Sequence, residues 1–501
     1  MWKERMVNVN DSILIRKKLY KLNDSEDFED FDRFLMKKVL GKEQIQELLS
    51  EKTTDKRIQQ LREEAYLIFY KEVKADKVAS RTTIKRWFGL NGYGRPKRKQ
   101  IFKLAFALKM AEEELEEYLV QGILQPGVQI NDYREMIYRY GIDRCLSYEE
   151  CVDMIRVFEK HVYKDTVIEQ NTHTALLWEM YRANCTKPKE EFLLWMCSNA
   201  GFFKGYSKVA LRHFMEMKSQ MLTYIRQNAQ EQLFILLEET DFREWAVENG
   251  LSKEDYGDNI YRYIKNVSRR KGQGNLDPDL KEAILECNWV AYSSRDKTTD
   301  LLAELYASAI ETGEGKIRPQ KRISYKGRNE FMLPDQIHFM TDKHISQIIG
   351  IAQQKEKEIR LSQALGSLED AEGSCPEWIG KMLEEYGITP PADVAGTRNL
   401  LRKLLTMQEQ RCHIVQRDDL LPLIHYVAQR KYEQLIQEQN QSYHSENAKI
   451  FFIQMADTIL LECRMAPISE KYHLDYLLLS CYGEDYMYSL ADVIEEAGML
   501  E

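Results

Sequence analysis

Apolar residues return every three or four positions through most of this chain, and runs that alternate apolar with polar are scarce. A 3.6-residue period puts such residues on one stripe of a helix, whereas a strand needs a period of two. Between Arg57 and Glu72 the stripe reads Leu61, Ala65, Ile68 and Phe69. The same spacing predicts helices over Phe34–Glu51, Lys103–Leu108, Leu115–Leu119, Tyr133–Tyr140 and Ser147–Ile155, the last continuing over Cys151–His161. Farther on it predicts Glu190–Cys197, Lys208–Glu238, Leu301–Ile310, His344–Leu365, Asn399–Arg411, Leu420–Glu438 and Asn447–Glu462. The expected fold is all-α: a small helical bundle near the N-terminus, then larger multi-helix regions.

A chain of 501 residues exceeds what one core supports, and about three domains are expected. Breaks in the helical pattern fall at Ser268–Pro278, rich in Gly, Asn and basic residues, at Thr312–Asn329, with Gly and Pro and little apolar content, and at Gly366–Pro376 with Gly387–Gly396. The division implied is an extension over 1–55, a first bundle with adjoining helices over 56–158, and a helical domain over 159–312. A basic linker over 313–328 and a C-terminal helical domain over 329–501 complete it. In the extension, the acidic cluster Asp24, Glu26, Asp27, Glu29, Asp30 and Asp32 reads as a solvated surface.

No stretch approaches the roughly 18 consecutive apolar residues of a membrane helix, so no membrane partner is expected. The start, Met1-Trp2-Lys3-Glu4-Arg5, is charged and lacks a secretory apolar core. The nine cysteines are scattered without the close pairing of a zinc knuckle. An odd number in a long chain suits reduced, buried thiols and a cytoplasmic setting.

Charge is distributed unevenly. Lys77, Arg81, Lys85, Arg86, Arg95, Lys97, Arg98, Lys99 and Lys103 fall in one stretch without an acid. The chain as a whole carries −9 and this stretch carries +9, which leaves −18 for the remainder. Ser80 is a good N-cap for a helix reading Arg81-Thr82-Thr83-Ile84-Lys85-Arg86-Trp87-Phe88. Ile84, Trp87 and Phe88 would face inward, leaving Arg81, Thr82, Lys85 and Arg86 outward. Short hydroxyls with Arg and Lys suit a helix in a major groove, where a guanidinium forks onto guanine and Thr meets a phosphate or thymine methyl. Arg95, Lys97, Arg98, Lys99 and Lys103 would then neutralise phosphates at the start of the next helix.

These residues resemble the phage-repressor-like (xenobiotic-response-element type) helix-turn-helix regulators over about 57–122. The pattern is carried by Ala79-Ser80, Thr83-Ile84, Trp87, Gly89, Pro96, Leu104-Ala105, Ala107-Leu108 and Glu113-Glu114-Leu115. Lys74 and Lys109 stand where the family has a small Ala and a helix-ending Gly, and the loop Leu90–Arg95 is longer than the family norm. The resemblance implies a DNA-binding regulator that works as a homo-oligomer on paired half-sites. The acidic remainder would then serve oligomerisation, sensing or docking of a protein partner through the C-terminal helices. The rival expectation is a non-enzymatic helical scaffold whose basic face grips an acidic partner.

Signals of catalysis are absent. The sequence has no Gly-x-x-x-x-Gly-Lys loop, Gly-x-Ser-x-Gly elbow or His-Glu-x-x-His pair, so neither an enzyme nor a cofactor is expected. His338, Asp342 and His344 are spaced to point to different sides of a helix, and His413 beside Cys412 lacks a third partner in register. The basic run Lys316–Arg328 reads as a solvated linker.

Overall fold

The computed structural model describes residues 28–41, 55–161, 174–203, 205–292, 298–306, 339–368 and 370–498, together with Leu19 and Gln44. Among these residues the backbone forms 22 α-helices and one two-stranded hairpin, an all-α fold. None of the described helices is long and apolar enough to cross a membrane.

The first core is built from α1 (Phe31–Val39), α2 (Asp55–Val73), α3 (Arg81–Trp87), α4 (Arg98–Leu108) and α5 (Glu112–Glu117), which runs into a π-helical turn at Tyr118–Gly122. It continues through α6 (Tyr133–Asp143), α7 (Tyr148–His161), α8 (Thr174–Asn184) and α9 (Lys189–Ser198). Its buried side chains run from Phe31 to Phe203, so the expected boundary at 158 falls inside one continuous core. The expected solvated extension also joins it. Phe31, Phe34, Leu35 and Met36 of α1 are buried, and Phe34 meets Tyr118 edge-on at 5.0 Å. Each such burial contributes on the order of 1.5–3 kcal/mol, enough to draw this helix onto the bundle. Two members of the acidic cluster follow it inside, since Asp30 and Asp32 are buried.

On α2 the buried stripe is Leu61, Ala65, Tyr66, Phe69 and Val73. Ile68, expected on that stripe, is 47% exposed. The stripe follows Phe69 and its neighbours one turn apart, and Ile68 lies on the flank.

The 30-residue α10 (Lys208–Leu237) links two further cores. Its first half supplies Ala210, Phe214, Met217, Met221 and Ile225 to the largest core. Its second half supplies Ala229, Leu233 and Leu237 to a smaller one with α11 (Phe242–Glu248), α12 (Tyr256–Asn266) and α13 (Pro278–Tyr292). Inside that smaller core the expected break at Ser268–Pro278 is a hairpin, β1 (Arg269–Arg270) against β2 (Gln273–Asn275). Gly272 turns it with φ +70°, a conformation that glycine adopts freely. The Gly-rich composition therefore marks a tight turn within one core.

The largest core is completed by α14 (Thr298–Tyr306), α15 (Asp342–Ile349), α19 (Arg417–Glu438), α20 (Ser445–Glu462), α21 (His473–Leu479) and α22 (Leu490–Gly498). Between them lies a fourth cluster, formed by α16 (Ile351–Ser367), α17 (Glu377–Glu385) and α18 (Val394–Glu409). The single helix expected over His344–Leu365 is interrupted at Gly350, where ψ swings to 1° before α16 restarts. The segment Leu301–Ile310 is helical through Tyr306. The linker 313–328 and His338 lie outside the described residues.

Candidate nucleic-acid interface

Helix α3 starts where the sequence places it. The Ser80 hydroxyl accepts the Thr83 amide at 3.1 Å, satisfying a first-turn N–H that lacks a helical partner. Ile84 and Trp87 are the buried residues of the helix, and Phe88 just beyond it is fully buried. Trp87 meets Phe31 edge-on at 6.3 Å, while Phe88 meets Phe69 at 5.4 Å. These anchors fix the rotation of α3 against α1 and α2. The opposite face therefore turns outward, with Arg81, Thr82 and Arg86 exposed and Lys85 half-buried.

Two of those cations lean on α2. Arg81 Nε donates to the Tyr66 hydroxyl at 3.1 Å, and its guanidinium lies 5.8 Å from the Tyr70 ring centre. The Lys85 ammonium lies 5.6 Å from the Tyr66 ring, and the two tyrosines are stacked. A ring face carries no net charge, so this platform orients the cations without neutralising them.

At the start of α4, Lys97 and Lys99 are exposed. The Lys97 amide donates to Gln100 Oε1 at 2.8 Å. Lys103, one turn farther on, is half-buried with its ammonium 5.3 Å from the Tyr148 ring.

Arg95 and Arg98, expected on phosphate, are used inside the protein. Arg98 clamps Glu135 with Nε on Oε1 at 2.6 Å and Nη2 on Oε2 at 2.8 Å. Its remaining donors reach the carbonyls of Pro126 at 2.5 Å and Gly127 at 2.7 Å. The rigid guanidinium fork suits such a site, tying α4 to α6 and to the segment that leads into it. The signal was present in the period: Arg98 lies one turn before the buried Phe102, on the inward side of α4.

Arg95 sits at the seam with the C-terminal helices. Its Nε donates to the Tyr93 hydroxyl at 3.1 Å, and it lies 3.6 Å from Asp30. Arg417, Asp418, Tyr472 and His473 line the same small cavity. Burial raises the Asp30 and Asp418 carboxyls to about 6, against the opposing pull of Arg95 on each. Burial lowers His473 to about 4, and Arg95 and Arg33 push it the same way. Neighbouring Arg417 is satisfied by Asp475 at 2.6 Å and 2.5 Å and by the carbonyls of Ala466 and Pro467.

The two lysines that stand in place of family residues behave differently. Lys109 takes the left-handed conformation at the end of α4, φ 51° and ψ 45°, which a glycine would adopt without strain. Lys74, just past α2, is exposed. Lys77 is also left-handed, φ 48°, in the turn that brings α3 across α2.

Other expected absences need correcting or completing. His413 does have partners: the fold brings His344 and Asp419 to it, from positions that sequence spacing does not connect. The cysteines are free thiols, and burial pushes Cys151 and Cys463 up to about 12, which suppresses thiolate chemistry. Comparison with known proteins gives no match to a family model, a curated protein or a solved structure.

Proposed function

We propose that this chain is a DNA-binding regulator that engages duplex DNA through α3. The observation that supports this reading is the presentation of Arg81, Thr82, Lys85 and Arg86 on a helix whose other face is anchored by Ile84 and Trp87. Arg86 and Thr82 reach toward base edges or phosphates, while Arg81 and Lys85 meet the backbone from their tyrosine platform. Lys97 and Lys99 add phosphate contacts at the start of α4. Lys103 contributes to the local field from beside Tyr148. The acidic remainder keeps the protein off DNA elsewhere and serves oligomerisation, sensing or partner docking. This role suits a cytoplasmic setting with reduced thiols.

Withdrawing Arg95 and Arg98 from the contact set leaves six cations for phosphate. Each displaced counterion contributes about 0.9 to the slope of log affinity against log salt, so the slope should not exceed about −5. Fluorescence anisotropy of labelled duplexes of varied sequence, across a range of salt, tests this. The regulator reading expects salt-dependent binding in which one group of sequences competes well above bulk DNA. Salt-dependent binding without sequence preference favours the scaffold, and no binding in low salt overturns the regulator reading.

A second reading has its own observation. Leu67 is 60% exposed and Ile68 lies beside it on the outer surface of α2. Such a pair next to a basic face favours contact with another protein, a second copy of this chain included.

A further inference from the structure

Three segments distant in sequence converge beside the C-terminal core. His344 lies in the first turn of α15, positioned by the Thr341 hydroxyl, which accepts the His344 amide at 3.2 Å. His413 comes from the loop between α18 and α19. Asp419 lies in the first turn of α19, where its Oδ2 accepts the Gln416 amide at 2.8 Å and faces His413 Nε2 at 2.8 Å. The imidazoles stack face to face, with ring centres 4.5 Å apart and planes 9° apart. One ligand atom from each of the three residues falls within 4.8 Å of the others.

We propose that His344, His413 and Asp419 form a binding site for a divalent transition metal of the zinc class. Two neutral imidazoles and one carboxylate are a borderline-soft donor set that such ions favour, and three protein ligands leave one position open. Around a tetrahedral ion these donors lie about 3.4 Å apart, so the His413–Asp419 pair at 2.8 Å opens by roughly half an ångström as the ion enters between them. Parallel rings cannot both contain the ion in their planes, and one imidazole therefore turns about its Cβ–Cγ bond as the ion enters. Both histidines are half-buried, and the Gln416 amide holds the carboxylate in place. To ligate through the nitrogen that faces Asp419, the neutral His413 ring carries its hydrogen on Nδ1 rather than Nε2, so the ring frees a lone pair without losing a proton. The ion would pin α15 to α19. Because α15 leads through Gly350 into α16, it would fix the α16–α18 cluster against the large core. This inference does not depend on DNA binding.

The test uses the full chain stripped by a chelator and dialysed. Cobalt(II) titration reports the ligand field, and zinc affinity is read by competition with a chromophoric chelator. One equivalent should bind, and His344→Ala and His413→Ala should each weaken it at least about tenfold. Circular dichroism establishes that these variants are folded, and His344→Gln repeats the measurement with more of the side-chain volume kept. Absence of zinc and cobalt uptake by the wild-type chain overturns the proposal. So does uptake of unchanged affinity in the histidine variants, which assigns the metal to other residues.

Discussion

Arg95 and Arg98 stand in one basic run with Lys97 and Lys99, yet their side chains lie inside while those of the lysines lie outside. A guanidinium can satisfy several fixed acceptors at once, whereas an ammonium keeps its hydration more readily at the surface. The consequence is measurable. Arg98→Ala strands Glu135 among buried groups and should cost about 3–5 kcal/mol in urea unfolding. Arg86→Ala, on the exposed face, should melt with the wild type; equal costs for the two would contradict the division. A second residue-scale consequence concerns pH. Asp30 and Asp418 titrate at about 6 in the fold, above the ordinary carboxylate value, so their contribution to stability grows as pH falls through 6. His473 at about 4 and His425 at about 3 act oppositely, because the unfolded chain takes up those protons first. The two pairs offset between about pH 4 and 6. His473→Gln removes one destabilising contribution and should gain about 2 kcal/mol relative to wild type on going from pH 7 to 5. Urea midpoints at the two pH values measure it, and an equal pH response in both proteins would refute the assignment.

At the scale of elements, α3 owes its existence to a few local signals that the sequence displays openly. Ser80→Ala removes the cap bond to Thr83 and should cost about 1 kcal/mol. Lys109→Gly relieves left-handed strain and should stabilise by about 1 kcal/mol; a loss of stability on denaturant unfolding would count against that conformation. The cap at α7 is reciprocal and follows the Ser-x-x-Glu spacing: the Ser147 amide donates to Glu150 at 2.8 Å and the Glu150 amide to the Ser147 hydroxyl at 3.1 Å. Less legible were α12, α17 and α21. They span 11, 9 and 7 residues, so an apolar spacing such as Ile260, Tyr263 and Ile264 in α12 repeats over only a few turns. The hairpin turn at Gly272 and the interruption at Gly350 show the limit of composition. Glycine announces a change of direction without saying whether a domain ends there. The metal candidate was illegible for a related reason, since His344 and His413 are joined only by tertiary closure.

The whole molecule is held together by contacts that no local window reveals. Arg464 bonds Glu116 at 2.8 Å and the Val128 carbonyl at 3.1 Å, and it lies over Trp178 at 4.8 Å. Arg134 reaches across to Glu358 at 2.9 Å, and Lys160 to Asp370 at 2.6 Å. These join the first core to the C-terminal helices and to the α16–α18 cluster. Thus the basic face belongs to a body anchored on several sides, with α3 turned to solvent. The all-α class and most helix positions followed from the apolar period, while the division into cores depended on α10 crossing between two of them. The most direct test of the central claim is duplex DNA affinity, by anisotropy, for the wild type and the combined Arg81→Ala, Lys85→Ala and Arg86→Ala variant. The prediction is a folded variant that loses binding at least about tenfold, with a salt slope shallower by about 3. A folded variant that binds DNA with the wild-type affinity and slope would contradict it.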